Sequence, residues 1–326
     1  MTEVDFVSRL EPQLARIFDT FAPLDLSDIP AAREEITRRL AGLEAPRHPA
    51  VERSNLTIPG AAGAPEVLLR VYRPVGQSHA LPCLVWIHGG GYVMGTIDRD
   101  DAMMDHIVAT VGCVAVSVEW RQAPEHPFPA SHDDCHVAVL WVAEHAPELL
   151  VDPNRISLGG ASSGGGSAAG VALRLRDEDA VRLAQLLLVY PMIDDRNETA
   201  SSRLITDPRV WNRDANVAAW RAYLGESAGS EDVSPYAAPA RAEDLSGLPP
   251  TFIAVGDLDL FLDEDLDFAR RLISSGVSTE VHVYPGAIHG FYSFAPDSPN
   301  ARRFADDRDL ALLRTLFPGE FDEVAR

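Results

Sequence analysis

From about residue 55 onward, short runs rich in β-branched and apolar residues alternate with longer stretches of helical periodicity. Parallel strands need long crossovers and antiparallel ones do not, so this rhythm predicts a mostly parallel sheet with helices on both faces. The strand candidates are Asn55–Ile58, Val67–Tyr72, Leu84–Ile87, Val114–Val118, Ile156–Gly159, Leu186–Tyr190, Thr251–Val255 and Glu280–Tyr284. Between and after them, helices are expected near Asp98–Val111, Ser131–Glu144, Ser163–Arg176, Asp263–Ser275 and Arg302–Leu316.

Two stretches break the rhythm. In residues 1–50, Leu10, Leu14, Ile17, Phe18 and Phe21 fall at helical spacing, and Pro30 opens a second helical pattern with Ile36 and Leu40. Residues 194–247 form a polar insertion carrying Trp211, Trp220 and Tyr223 where a simple crossover would serve, which marks them as a lid over a site. The expected organisation is therefore 1–50 as the N-terminal part of a cap, 51–193 as the first part of the core, 194–247 as the cap insertion and 248–326 as the rest of the core.

Composition narrows the chemistry. All 28 basic residues are arginine, against 49 acidic ones, for a formal charge of -21. A chain without lysine has no Schiff-base amine, no Walker lysine and no Ser–Lys dyad. A net field of this sign repels nucleic acid and anionic membranes. The longest apolar stretch, Leu186 to Ile193, is far short of the ~20 residues of a span, and Met1 to Asp5 carry neither a cationic nor an apolar leader region, so a cytoplasmic protein is expected. Cys83, Cys113 and Cys135 lack C-x-x-C spacing and read as reduced packing residues.

The pattern G-x-S-x-G occurs twice, around Ser162 and around Ser227. Only Ser162 sits between a strand run and a helical run, the strand–turn–helix setting in which a nucleophile elbow exposes its hydroxyl; Ser227 reads as a loop residue. A serine needs a base and donors for the oxyanion it generates. His88-Gly89-Gly90-Gly91 follows a strand directly, so the N–H groups of Gly89 and Gly90, with that of Ser163, are candidates for those donors, the alternative being a plain tight turn. Among ten histidines, His289 stands in a loop after the last strand and is the candidate base. His282 lies within that strand, His88 braces the glycine turn, and His132 with His136 lacks the further ligands of a metal site. Asp259 follows Thr251–Val255 and is the candidate acid, with Asp257 the alternative; Asp263 and Glu264 suit a helix N-terminus.

Four stretches, His88-Gly89-Gly90-Gly91-Tyr92, Trp120 to Glu125 with Phe128-Pro129-Ala130, the Ser162 elbow, and Asp259 with His289-Gly290-Phe291, resemble over nearly the whole chain the bacterial hormone-sensitive lipase-like carboxylesterases. That resemblance implies an α/β-hydrolase fold, a mostly parallel eight-stranded sheet flanked by helices with a helical cap. It implies a Ser162–Asp259–His289 triad and an oxyanion hole of Gly89, Gly90 and Ser163. The chain departs from the family's usual G-D-S-A-G-G elbow at Ala161 and Ser163, has Asp259-Leu260-Phe261 in place of D-P-L, and has Trp120 where tyrosine is usual.

The expected reaction is two-step hydrolysis of a small to medium uncharged ester with no cofactor and no metal, its histidine base failing in acid. Tyr92, Trp211, Trp220 and Phe291 are the expected apolar substrate walls. A lactonase or amidase with the same triad and a non-catalytic receptor on the same fold are the alternatives; a dinucleotide fingerprint at Gly164 to Ala169 starts too far past its strand. The expected partner is a small-molecule ester, and the resemblance admits a homodimer.

Overall fold

The computed structural model describes residues 3–40 and 46–319. Met1 and Thr2, residues 41–45 of the expected 1–50 segment, the Leu40 side chain and residues 320–326 of the closing segment lie outside the described residues.

Each expected strand forms: β1 (Val51–Ile58), β2 (Val67–Pro74), β3 (Leu81–Ile87), β4 (Val114–Glu119), β5 (Val151–Ala161), β6 (Gln185–Val189), β7 (Thr251–Leu258) and β8 (Thr279–Ile288). They make one eight-stranded sheet in the order β1-β2-β4-β3-β5-β6-β7-β8, antiparallel at β1·β2 and β2·β4 and parallel elsewhere. Sequence reading shortened β3 and β7 by three residues each and, by more, β1, β5 and β8. Edge strand β1 carries Glu52, Arg53 and Ser54 with only its ends buried, while Pro153 and the Pro285-Gly286 pair interrupt the pattern of the other two.

The helices are α1 (Glu3–Arg9), α2 (Pro12–Ile17), α3 (Ile29–Leu40), α4 (Asp101–Val111), α5 (Ala130–Glu144), α6 (Ala146–Leu149), α7 (Ser163–Asp177), α8 (Ala200–Leu204), α9 (Arg213–Leu224), α10 (Leu262–Ser274), α11 (Phe291–Phe294) and α12 (Pro299–Leu316). α12 starts three residues ahead of the expected Arg302 because Ser298 caps the N–H of Ala301 and Pro299 fits the first turn. Asp98 to Asp100, read as the start of a helix, belong to a 3₁₀ turn (Ile97–Asp100) leading into α4.

Burial is two-sided, as parallel sheets require. Along β3, Leu84 and Trp86 face one apolar cluster while Cys83, Val85 and Ile87 face the other. Each such side chain contributes about 1.5–3 kcal/mol on leaving water. The consequence for the site is that β3, β5, β7 and β8 are rigid rods, and the residues just past their carboxyl ends, His88, Ser162, Asp259 and His289, meet along one edge of the sheet. Residues 194–247 supply α8, α9 and no strand among the described residues.

Candidate active site

Ser162 occupies the single-residue turn between β5 and α7, at φ 57° and ψ -124°. A non-glycine residue held there stores about 1–3 kcal/mol, so the surroundings must hold it. They do: the Ser162 N–H donates to Val189 O (2.9 Å), and its carbonyl accepts the N–H groups of Gly166 (3.0 Å) and Met192 (2.9 Å). Gly164 is essential to this packing, because a Cβ there would lie 2.1 Å from the Ile87 carbonyl oxygen and 2.5 Å from that of His88. The elbow thus abuts the end of β3, where the glycine turn begins.

His289 bridges the other two candidates. Its Nε2 lies 2.9 Å from Ser162 Oγ and its Nδ1 lies 2.8 Å from Asp259 Oδ2. With Nδ1–H donating to the carboxylate, Nε2 is left as an acceptor for the serine proton. The Asp259 carboxylate is buried, and its Oδ1 accepts the Phe261 N–H at 3.0 Å. The alternative acid, Asp257, is engaged elsewhere: it accepts the Gly286 N–H (2.6 Å) and pairs with Arg9 (3.1 Å). The triad is nearly closed to solvent, Ser162 keeping 6 % exposure and the His289 side chain 11 %.

Gly89 lies against the elbow; a Cβ on it would fall 3.2 Å from that of Ser162. The N–H groups of Gly89, Gly90 and Ser163 have no protein acceptor among the described residues, so three donors stand unengaged beside the serine. His88 is buried, stacked on Trp120 at 4.7 Å and bonded through Nδ1 to Gly89 O (2.9 Å); burial pushes its imidazole down to about 4, which keeps it neutral.

The expected apolar walls divide. Trp211 lies over the site, its ring 6.2 Å from that of His289 and pressed so close to Gly91 that a Cβ there would sit 2.2 Å from the indole. Tyr92, Trp220 and Phe291 are fully buried and pack on other aromatics, with no ring contact to His289 among the described residues. Tyr92 stacks on Tyr223 at 3.9 Å and donates to Met192 O, Trp220 packs on Tyr92 at 5.2 Å, and Phe291 packs on Tyr284 and Phe304 in the core. Two neighbours of the imidazole were missed in the sequence, Tyr190 at 4.4 Å and Phe261 edge-on at 5.1 Å. Tyr190 is held at φ 37°, and the only hint of it was its place directly after β6, ahead of Pro191.

The other candidates make none of the side-chain contacts that join Ser162, His289 and Asp259. Ser227 is an exposed residue of a 3₁₀ turn. His132 and His136 are stacked and buried, the former held down at about 3 by burial, and gather no metal-holding cluster among the described residues. Gly164 to Ala169 are interior to α7. Asp263 and Glu264 do more than favour a helix start: Asp263 accepts the Ser201 N–H (2.7 Å), and Glu264 accepts those of Ile193 (3.0 Å) and Asp194 (3.2 Å).

Known proteins resemble the chain in sequence and in fold. A profile of the alpha/beta hydrolase fold matches residues 84–293. Esterase LipI of Mycobacterium tuberculosis is 35% identical over 314 residues, 95% of this chain and 96% of its own. Carboxylesterase NlhH of the same species is 34% identical over 94% of this chain and 95% of its own. Among solved structures, a bacterial heroin esterase superimposes with TM-score 0.92 at 38% identity, covering 95% of this chain and 99% of that one. Esterase LipW from Mycobacterium marinum gives TM-score 0.87 at 34% identity, over 96% and 98%.

Proposed function

The chain belongs to the alpha/beta hydrolase fold family and is an ester hydrolase, and on that premise we propose that Ser162, His289 and Asp259 carry the reaction. Ser162 Oγ attacks the ester carbonyl as its proton passes to His289 Nε2, and the alkoxide leaving group takes that proton. Asp259 fixes the imidazole tautomer and offsets the charge it gains. Water, deprotonated by the same imidazole, then cleaves the acyl-enzyme and releases the acid. The observation that carries this reading is the unbroken Ser162–His289–Asp259 chain of contacts at 2.9 and 2.8 Å.

The unengaged amides of Gly89, Gly90 and Ser163 act as the oxyanion hole, each about 10²–10³ in turnover. The substrate is an uncharged ester of small to medium size: Trp211, Tyr190 and Phe261 surround the imidazole with apolar rings, and a net charge of -21 repels anionic substrates. Residues 1–50 and 194–247 together form the cap, a division supported by the Leu24 N–H bonding to Pro208 O (2.8 Å) and by Arg209 lying 4.1 Å over the Phe18 ring. No helix among the described residues is long and apolar enough to cross a membrane. A cytoplasmic location is favoured by three buried free thiols.

The test is turnover of p-nitrophenyl esters of graded acyl length beside matched lactones and anilides. Short and medium esters should be cleaved fastest, with the Ser162→Ala protein inert. Preferential cleavage of lactones or anilides would move the chain to the lactonase or amidase alternative.

A further inference from the structure

The glycine turn that carries two of the three proposed oxyanion donors is itself outside the sheet. It begins where β3 ends, and from Gly89 to Gly95 its shape depends on what grips its carbonyls. Three grips are local: the Val93 and Met94 N–H groups donate to Gly90 O (3.1 and 3.0 Å), and His88 Nδ1 bonds to Gly89 O (2.9 Å). Two come from the loop after β4, where the Ala123 N–H donates to Tyr92 O (2.9 Å) and Gln122 Nε2 donates to Gly95 O (2.6 Å).

The remaining grip comes from far away in sequence. Arg33, on α3 in the N-terminal segment, donates from Nε to Val93 O (2.5 Å) and from Nη2 to Ala123 O (2.6 Å). Its fork is completed by Glu125, whose two carboxylate oxygens each accept at 2.8 Å. One planar guanidinium therefore ties a cap helix, the glycine turn and the loop that braces it. A guanidinium alone among side chains offers this many donors in a fixed plane, so a lysine ammonium would satisfy part of the set and lose the rest.

We propose that Arg33 is a positioning residue for the oxyanion hole, fixing the Val93 and Ala123 carbonyls so that the Gly89 and Gly90 N–H groups stay aimed at the alkoxide that develops next to Ser162. Oxyanion donors act mainly on the charged intermediate and less on the neutral ester. Loosening them lowers kcat and leaves KM nearly unchanged. The inference rests on the reading of Ser162 as nucleophile and of the Gly89–Gly90 turn as the hole.

The test uses full-length wild type, Arg33→Ala, Arg33→Lys and Glu125→Gln. Each is assayed for kcat and KM on p-nitrophenyl acetate, for inhibition by an alkyl trifluoromethyl ketone, and for thermal unfolding. The ketone adds to the serine to give a charged hemiketal that reports on the hole. Arg33→Ala should lose about 10–100-fold in kcat and a parallel factor in ketone affinity, with KM within about twofold. Arg33→Lys should fall between it and wild type, and it carries the test if the alanine protein does not fold. Glu125→Gln, which keeps both backbone grips, should stay near wild type. Arginine variants that unfold at lower temperature but retain wild-type kcat and ketone affinity would reduce Arg33 to a brace of the fold and overturn the proposal. Fluorophosphonate labelling of wild-type Ser162 in the same series separates the two readings: its failure would refute the nucleophile, whereas normal labelling with an unchanged Arg33→Ala hole would refute the positioning role alone.

Discussion

The elbow and the proposed cap meet around Ser162, His289 and Asp259 but are held together by opposite means. Around Ser162 the contacts are backbone to backbone: Val189 O, the Gly166 and Met192 N–H groups, and Gly164 pressed on the carbonyls of Ile87 and His88. Among the described residues, no charged side chain bonds to the serine's backbone. In the proposed cap, arginines do much of the joining, beside backbone contacts such as that of the Leu24 N–H with Pro208 O. Arg241 binds the fully buried Asp195, Arg213 reaches Asn197 O, Arg209 pairs with Asp207, and Arg33 grips two carbonyls of the core. With no lysine in the chain, every such joint is a planar fork that can bind two acceptors at once. Backbone packing leaves the elbow a single geometry, while side-chain joints let the cap be rebuilt in sequence as long as each fork keeps its acceptors.

Substitutions separate the two regions. The largest effects should fall on the chemistry: Ser162→Ala and His289→Ala lose about 10⁴-fold or more in kcat, and Asp259→Asn about 10⁴-fold, with unfolding temperature nearly unchanged. Next is Gly164→Ala, expected to cost about 3 kcal/mol or more in denaturant unfolding, because neither carbonyl it meets belongs to a flexible side chain. Arg241→Ala strands the buried Asp195 carboxylate and should cost about 3 kcal/mol, with kcat of the folded fraction preserved. A Gly164→Ala protein as stable as wild type, or an Arg241→Ala protein that is inert yet stable, would break the distinction.

The smallest predicted effect concerns pH. Asp265 and Glu264 begin α10 behind the triad; both are buried, and burial lifts their carboxyls well above the ordinary range, Glu264 helped by Asp194, and Asp265 by Glu264 and Asp259. Neither Asp265 oxygen has a hydrogen-bond partner among the described residues. The folded chain therefore holds a proton that the unfolded chain releases, so this contribution is fully present below the unfolded carboxylate pKa and is lost as pH rises through the folded one. Asp265→Asn should unfold at a higher temperature than wild type at pH 8, the gap shrinking toward pH 4. A gap that widens in acid would mean that the folded state holds Asp265 ionised.

The fold was legible wherever apolar runs were uninterrupted. The strand candidates were found because sheet burial forces contiguous Val, Ile and Leu, and the largest errors fell on β1, β5 and β8, where edge position or proline hides that signal. The meeting of Ser162, His289 and Asp259 was legible because each follows a strand and because Ser162 is framed by glycines. The rings around His289 were not. Tyr92, Trp220 and Phe291 are as aromatic as Trp211, and only three-dimensional packing decides which ring faces His289 and which is core. Arg33 gave no signal at all, since its acceptors are mostly main-chain carbonyls distant in sequence.

The central claim, that Ser162 is the one activated serine, is tested most directly by reacting the full chain with a fluorophosphonate and mapping the adduct by peptide mass spectrometry. One adduct per chain on Ser162, absent from Ser162→Ala and from His289→Ala, is the predicted result. An adduct on Ser227, or on Ser162 at the same rate after His289 is removed, would contradict it.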